Sequence, residues 1–156
     1  MTVGDLMNRE LIAVSPDDSV EEAVKLLQRR GVRHLLVIKK GRLVGIISDR
    51  DIKRALDPRQ TRKKLMGIGG LYFLLEPILV AEIMTSKPIT VTPDTPISQA
   101  AYILVERRFG ALPVVEGTET VGIITETDLL RYFAESEMQS RQPAAPTAKS
   151  KSRGKR

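Results

Sequence analysis

The apolar positions change period in a fixed order, and the order then recurs. A short apolar run from Leu11 to Val14 stops at Ser15-Pro16, where proline removes a ladder donor and sets a turn. Val20, Ala23, Val24 and Leu27 follow at the three, four and seven spacing of one buried helix face, and Gly31 ends that helix as a C′ residue. Two strand-like runs come next, His34 to Ile38 and Leu43 to Ser48, joined by Lys39-Lys40-Gly41-Arg42, which reads as a hairpin turn. A second helix is predicted from Asp49 to Leu56, so the unit reads β-α-β-β-α.

Sliding the sequence against itself by 77 residues reproduces this pattern without a gap from Met7/Met84 to Arg54/Arg131. The pairs include Ile12/Ile89, Pro16/Pro93, Ala23/Ala100, Leu27/Leu104, Arg30/Arg107 and Asp51/Asp128. The second copy is predicted to have a strand from Ile89 to Val91, a helix buried through Ile97, Ala100, Ala101 and Leu104, and strands from Ala111 to Val115 and Val121 to Thr125. Its last helix runs from Glu126 to about Ala134. The chain divides into repeat one (1–56), a connector (57–80), repeat two (81–136) and a tail (137–156). A unit of about 55 residues buries too little surface to stand alone, so the copies are expected to pack together in an α/β (α+β) fold of tandem repeats. The connector is polar from Asp57 to Lys64, then apolar from Met66 to Leu75, and reads as a segment packed on the core. Its glycines, with Glu76, Pro77 and Glu82, break it too often for a membrane span of about 20 apolar residues.

Composition narrows the chemistry. With no cysteine and one histidine in 156 residues, thiol nucleophiles, disulfides and Cys/His zinc sites are excluded. The net charge of +6 is mostly a tail property: residues 137–156 carry six Lys/Arg against one acid, leaving +1 for the rest. That tail has no large apolar residue beyond Met138 and is expected to be disordered. Met1-Thr2-Val3-Gly4-Asp5 has no basic leader region, so secretion is not indicated and a cytoplasmic location is expected.

The candidate chemistry lies at the end of the third strand of each copy, in Gly45-Ile46-Ile47-Ser48-Asp49-Arg50-Asp51 and Gly122-Ile123-Ile124-Thr125-Glu126-Thr127-Asp128. Ser48 or Thr125 followed three residues later by Asp51 or Asp128 is a capping box. The same pattern offers a hydroxyl and free helix amides to a phosphate, and a carboxylate able to accept two hydrogen bonds from a ribose diol. Arg54 and Arg131 stand one turn further along, able to meet phosphate or to pair with the acids.

Two such units with first strands Ile12-Ala13-Val14-Ser15-Pro16 and Ile89-Thr90-Val91-Thr92-Pro93, preceded by Met7 and Met84, resemble the CBS domain family (cystathionine β-synthase domains). The resemblance covers residues 3 to 56 and 80 to 135. It implies a pseudo-twofold CBS pair with two clefts for adenosyl ligands such as AMP, ADP, ATP or S-adenosylmethionine, no metal requirement, and association as a homodimer. It also implies ribose-binding acids at Asp51 and Asp128 with hydroxyl neighbours at Ser48 and Thr125. Adenine pockets are implied at Ile12, Val14, Ser15 and Leu35, and at Ile89, Val91, Thr92 and Leu112, positions equally suited to core packing. Copy one has Arg33-His34 where copy two has Gly110-Ala111, so if both clefts bind, the first is expected to favour more phosphate charge.

The function expected is a regulatory or sensor module that binds an adenine nucleotide and acts on a separate protein or on its own dimer. A ligand-free dimerisation module is the structural alternative, and a salt-sensitive, nonspecific nucleic-acid contact through the basic tail is the other. A triad of Ser48 or Ser15 with His34 and an Asp has no support from copy two, where Ala111 replaces His34, so no catalytic residue is assigned.

Overall fold

A computed structural model describes residues 1–57, 59, 65–68, 71–74 and 77–142. In the first half, α1 (Val3–Leu6) precedes β1 (Ala13–Val14), α2 (Val20–Arg30), β2 (His34–Lys39), β3 (Arg42–Ser48) and α3 (Asp49–Ala55). Helix α2 starts where the Ser19 hydroxyl accepts the Glu22 amide, and it ends at Gly31 in the left-handed conformation, φ 62°. Strands β2 and β3 are joined by Lys40 and Gly41, both at positive φ, the turn geometry whose twist matches that of a hairpin. A hairpin of β4 (Leu65–Ile68) and β5 (Leu71–Leu74) lies in the connector. The end of the connector packs on the first core through Ile78 and Val80, while the side chains of residues 60–76 lie outside the described residues.

The second half repeats the plan with α4 (Val80–Ile83), β6 (Thr85–Ser86), α5 (Ile97–Arg107), β7 (Ala111–Glu116), β8 (Glu119–Thr125) and α6 (Glu126–Ser140). The strand expected from Ile89 to Val91 shrinks to a single parallel bridge, Val91 to Val114. The cause is Pro113: at the matching place in copy one the Leu36 amide donates to the Ile12 carbonyl, and proline has no amide to give Ile89. Helix α6 runs past its expected end at Ala134, so residues 137–140, assigned to the tail, are helical. A helix already nucleated extends through good helix formers without burial, and the Ser136 and Ser140 hydroxyls bond back to the Phe133 and Glu137 carbonyls. The rest of the expected disordered tail, residues 143–156, lies outside the described residues.

Two cores form, and each borrows from the other repeat. Val14, Val20, Ala23, Leu27, Leu35, Val37, Ile47 and Ile52 pack with Ile78 and Val80, which precede and open repeat two. Val91, Ala100, Leu104, Leu112, Val114 and Ile124 pack with Val3 and Met7 of the first repeat. The backbone crosses in the same way: β6 pairs with β3, and Asn8 bridges Ile123 of β8. Glycine makes the crossings possible. A Cβ on Gly45 would sit 2.6 Å from the Met84 sulfur and 2.9 Å from the Thr85 carbonyl oxygen, and one on Gly122 would sit 2.7 Å from the Asn8 carbonyl oxygen.

The helix ends of α2 and α5 are not equivalent. Where α2 uses Gly31, α5 uses Arg108 in the same left-handed conformation, φ 56° and ψ 39°. That conformation costs a residue with a side chain about 1–2 kcal/mol, so this position carries an arginine against its backbone preference.

Candidate functional site

Both strand-to-helix junctions are capping boxes. The Ser48 hydroxyl accepts the Asp51 amide (3.1 Å) and Asp51 Oδ2 accepts the Ser48 amide (2.9 Å); Thr125 and Asp128 do the same at 3.3 and 2.8 Å. The Asp49 amide donates to the Arg33 carbonyl and the Glu126 amide to the Gly110 carbonyl, so two first-turn amides of each helix, expected to be free, are already satisfied by protein groups.

The arginines behave differently in the two copies. Arg131 Nη1 lies 3.9 Å from Asp128 Oδ1, a weak pair that occupies the carboxylate. Arg54 makes no ion pair among the described residues, and Asp51 keeps one carboxylate oxygen outside its cap.

A cleft of about 900 Å³ lies between the repeats. Copy one contributes Arg33, His34, Ser48, Asp51 and Arg54; copy two contributes Ile89 and Ala111 with Pro88, Ala101, Phe109 and Leu129. The lining from copy one is polar and cationic and that from copy two largely apolar apart from Thr85, Arg107, Arg108 and Glu126, an arrangement that suits a ligand with both a flat apolar ring and negative charge. The hydroxyl, the acid and the arginine of copy one thus meet the first-strand isoleucine of the other copy.

The remaining expected residues sit elsewhere. Leu35 and Leu112 are fully buried, Val14 and Val91 lie in the two cores, and none of the four lines the cleft. Ile12 packs at the edge of the first core. Ser15 and Thr92 serve turns: the Ser15 amide donates to Asp18, and the Thr92 amide to the Thr95 hydroxyl. Thr125, Asp128 and Arg131 do not line this cleft.

The contrast between Arg33-His34 and Gly110-Ala111 needs correcting in one respect. All four residues line one cleft. A Cβ on Gly110 would meet His34 Nε2 at 2.7 Å, so the imidazole lies directly on the glycine. Burial there pulls the His34 pKa below its ordinary value, against Asp49, Glu126 and Asp51, which raise it; Arg33 lowers it further.

Arg50, Lys53, Arg107 and Arg108 also line the cleft and escaped the motif search. Arg108 was visible only as a difference between copies, standing where copy one has Gly31, whereas Arg107 matches Arg30. Arg30 pairs with Glu10, but at the matching positions Arg107 would meet Lys87.

The profile of the CBS domain matches residues 3–58 and 80–135. Among curated proteins, the chain is 34% identical over 133 residues to the uncharacterized protein MJ1225 of Methanocaldococcus jannaschii, covering 85% of this chain and 47% of that protein. The chain spans less than half the length of this and two other similar curated proteins, 23% and 14% of those two. Among solved structures, the CBS domain pair of protein MJ0100 in complex with 5′-methylthioadenosine and S-adenosyl-L-methionine matches with a TM-score of 0.73 and 28% identity, covering 87% of this chain and 98% of that one. CBSX2 in complex with AMP matches with a TM-score of 0.67 and 31% identity, over 87% and 98%.

Proposed function

Since the chain belongs to the CBS domain family, we propose that it is a regulatory module whose cleft between repeats binds an adenine nucleotide (AMP, ADP or ATP) or S-adenosylmethionine. The observation that carries this reading is the convergence of Ser48, Asp51 and Arg54 with Ile89 and Ala111 in one cleft. In this reading Asp51 accepts the ribose hydroxyls through the oxygen its cap leaves over, Arg54 meets phosphate, and the base lies against the apolar side. The ligands named for the MJ0100 and CBSX2 structures support the adenosyl class.

The signal passes to a second copy of the chain. Tyr102, Val105, Leu130 and Phe133 leave 63–74% of their surface exposed on α5 and α6, while the matching residues of copy one are Lys25, Gln28, Lys53 and Leu56. Only copy two therefore presents an apolar helix face, and an isologous pairing of α5 and α6 with their counterparts covers it. Val105 and Leu130 belong to both this face and the cleft, so an occupied cleft alters the surface on which the dimer forms.

Thermal unfolding with AMP, ADP, ATP and S-adenosylmethionine tests the reading. A ligand at 100 times its dissociation constant adds about 2.7 kcal/mol, a rise of roughly 5–10 °C for a chain of this size. Asp51→Asn, which keeps an acceptor for the Ser48 amide, removes the shift, and Asp128→Asn retains it. No shift with any of the four leaves the ligand-free dimerisation module.

A further inference from the structure

The same cleft gathers six cations, Arg33, Arg50, Lys53, Arg54, Arg107 and Arg108, against three acids, Asp49, Asp51 and Glu126. None of the six makes an ion pair among the described residues. Six like charges collected around one concavity and only partly offset by three acids repel one another, and a multiply charged anion seated there relieves them. A single phosphate carries about −2 and leaves part of that charge uncompensated.

Two differences between the repeats add positive charge to copy two. At the matching positions Lys87 replaces Glu10, the partner of Arg30, and Arg108 replaces Gly31; Arg108 is held in the left-handed conformation and lines the cleft. A glycine would satisfy that helix end without strain, as Gly31 does for α2. Holding a cation there instead is a structural concession that makes sense if the cation meets something.

We propose that Arg107 and Arg108 clamp the outer phosphates of a polyphosphate chain, so that the cleft selects a nucleoside triphosphate over a monophosphate. This rests on the reading of the cleft as the nucleotide site and names which nucleotide it prefers. Arg54 and Arg33 meet the inner phosphate from copy one, and the Arg107-Arg108 pair closes on the chain from copy two. The forked guanidinium geometry suits adjacent phosphate oxygens.

Titration calorimetry on the full chain, without divalent metal and at fixed moderate salt, compares AMP, ATP and inorganic tripolyphosphate. The wild type is expected to bind ATP about tenfold or more tighter than AMP, the effect of one or two charge-assisted contacts. Arg108→Gly, which suits the backbone at that position and so preserves the fold, brings the ratio towards one by costing ATP more affinity than AMP; Arg107→Gln acts in the same direction. Arg42→Gln, an exposed cation outside the cleft, leaves the ratio as it was. ATP binding no tighter than AMP in the wild type overturns the clamp while the nucleotide reading stands. A preference retained in both arginine variants overturns it too. Tripolyphosphate binding as tightly as ATP supports the clamp and overturns recognition of the base. Binding of none of the three overturns both.

Discussion

Gly122→Ala puts the exchange of segments between repeats to a direct test. A methyl group there would stand 2.7 Å from the Asn8 carbonyl oxygen and 3.0 Å from the Met7 sulfur, where ordinary contact begins at 3.4 Å. The methionine end can swing aside, but the backbone oxygen must retreat by 0.7 Å, the difference between contact and clash. It is held by two hydrogen bonds, from the Asn8 amide to the Ile123 carbonyl (2.9 Å) and from the Ile123 amide to the Asn8 carbonyl (3.0 Å). Releasing the segment altogether would forfeit both bonds, at about 0.5–1.5 kcal/mol each. It would also expose Val3 and Met7, at about 1.5–3 kcal/mol each. Accommodating the methyl in place costs about 1–3 kcal/mol, as overpacking does, and is the cheaper response. The melting temperature is therefore expected to fall by roughly 2–12 °C. Hydrogen exchange locates the damage, with the Asn8 and Ile123 amides exchanging faster than in the wild type. Gly31→Ala is the control, since nothing lies within 4 Å of its added methyl and its cost comes from φ +62° alone. A melting temperature within about 1 °C of the wild type, with unchanged exchange at Asn8 and Ile123, would refute the packing argument.

Acidification should weaken the fold through His34. Its folded pKa lies below its ordinary value, so the unfolded chain binds the proton more readily, and stability rises with pH between the two values. The melting temperature should drop as pH falls below about 6.5, and His34→Gln should flatten that part of the profile; an equal slope in both proteins would rule out His34 as its source. The apolar face of copy two predicts a concentration-dependent dimer by analytical ultracentrifugation, converted to monomer by Phe133→Asp with little loss of stability, because Phe133 is 63% exposed. A dimer unaffected by Phe133→Asp would move the interface off α6.

Much of this architecture is legible in the chain. The proline turns, the helix end at Gly31 and both capping boxes depend on local chemistry, and the 77-residue offset shows most of that chemistry a second time. What was not legible is partnership across distance. Val3 and Val80 match at the same offset, but matching does not say that each packs in the other copy's core. For the same reason Ser48 and Asp51 could be recognised as a pair, yet not as neighbours of Ile89 and Ala111. The β4–β5 hairpin had its turn signal in Gly69-Gly70, but the apolar run around it carries no clean period of two. The lost first strand of copy two turned on one missing amide, that of Pro113, whose partner lies 24 residues away in the sequence.

The exchange of opening segments also orders the folding of the chain in time. The Gly4 amide bonds to the Pro93 carbonyl and the Val3 amide to the Thr95 carbonyl, so α1 closes a loop of about ninety residues. Val80 docks against Asp18 across a shorter one. As the polypeptide leaves the ribosome, the first repeat lacks Ile78 and Val80 until they emerge, and α1 has no core to enter until β7 and β8 exist. Such contacts, far apart in sequence, slow the search for the native state and tie the two halves into one cooperative transition. Helix α1, which precedes both repeats' strands in the chain, is thus among the last elements to find its place.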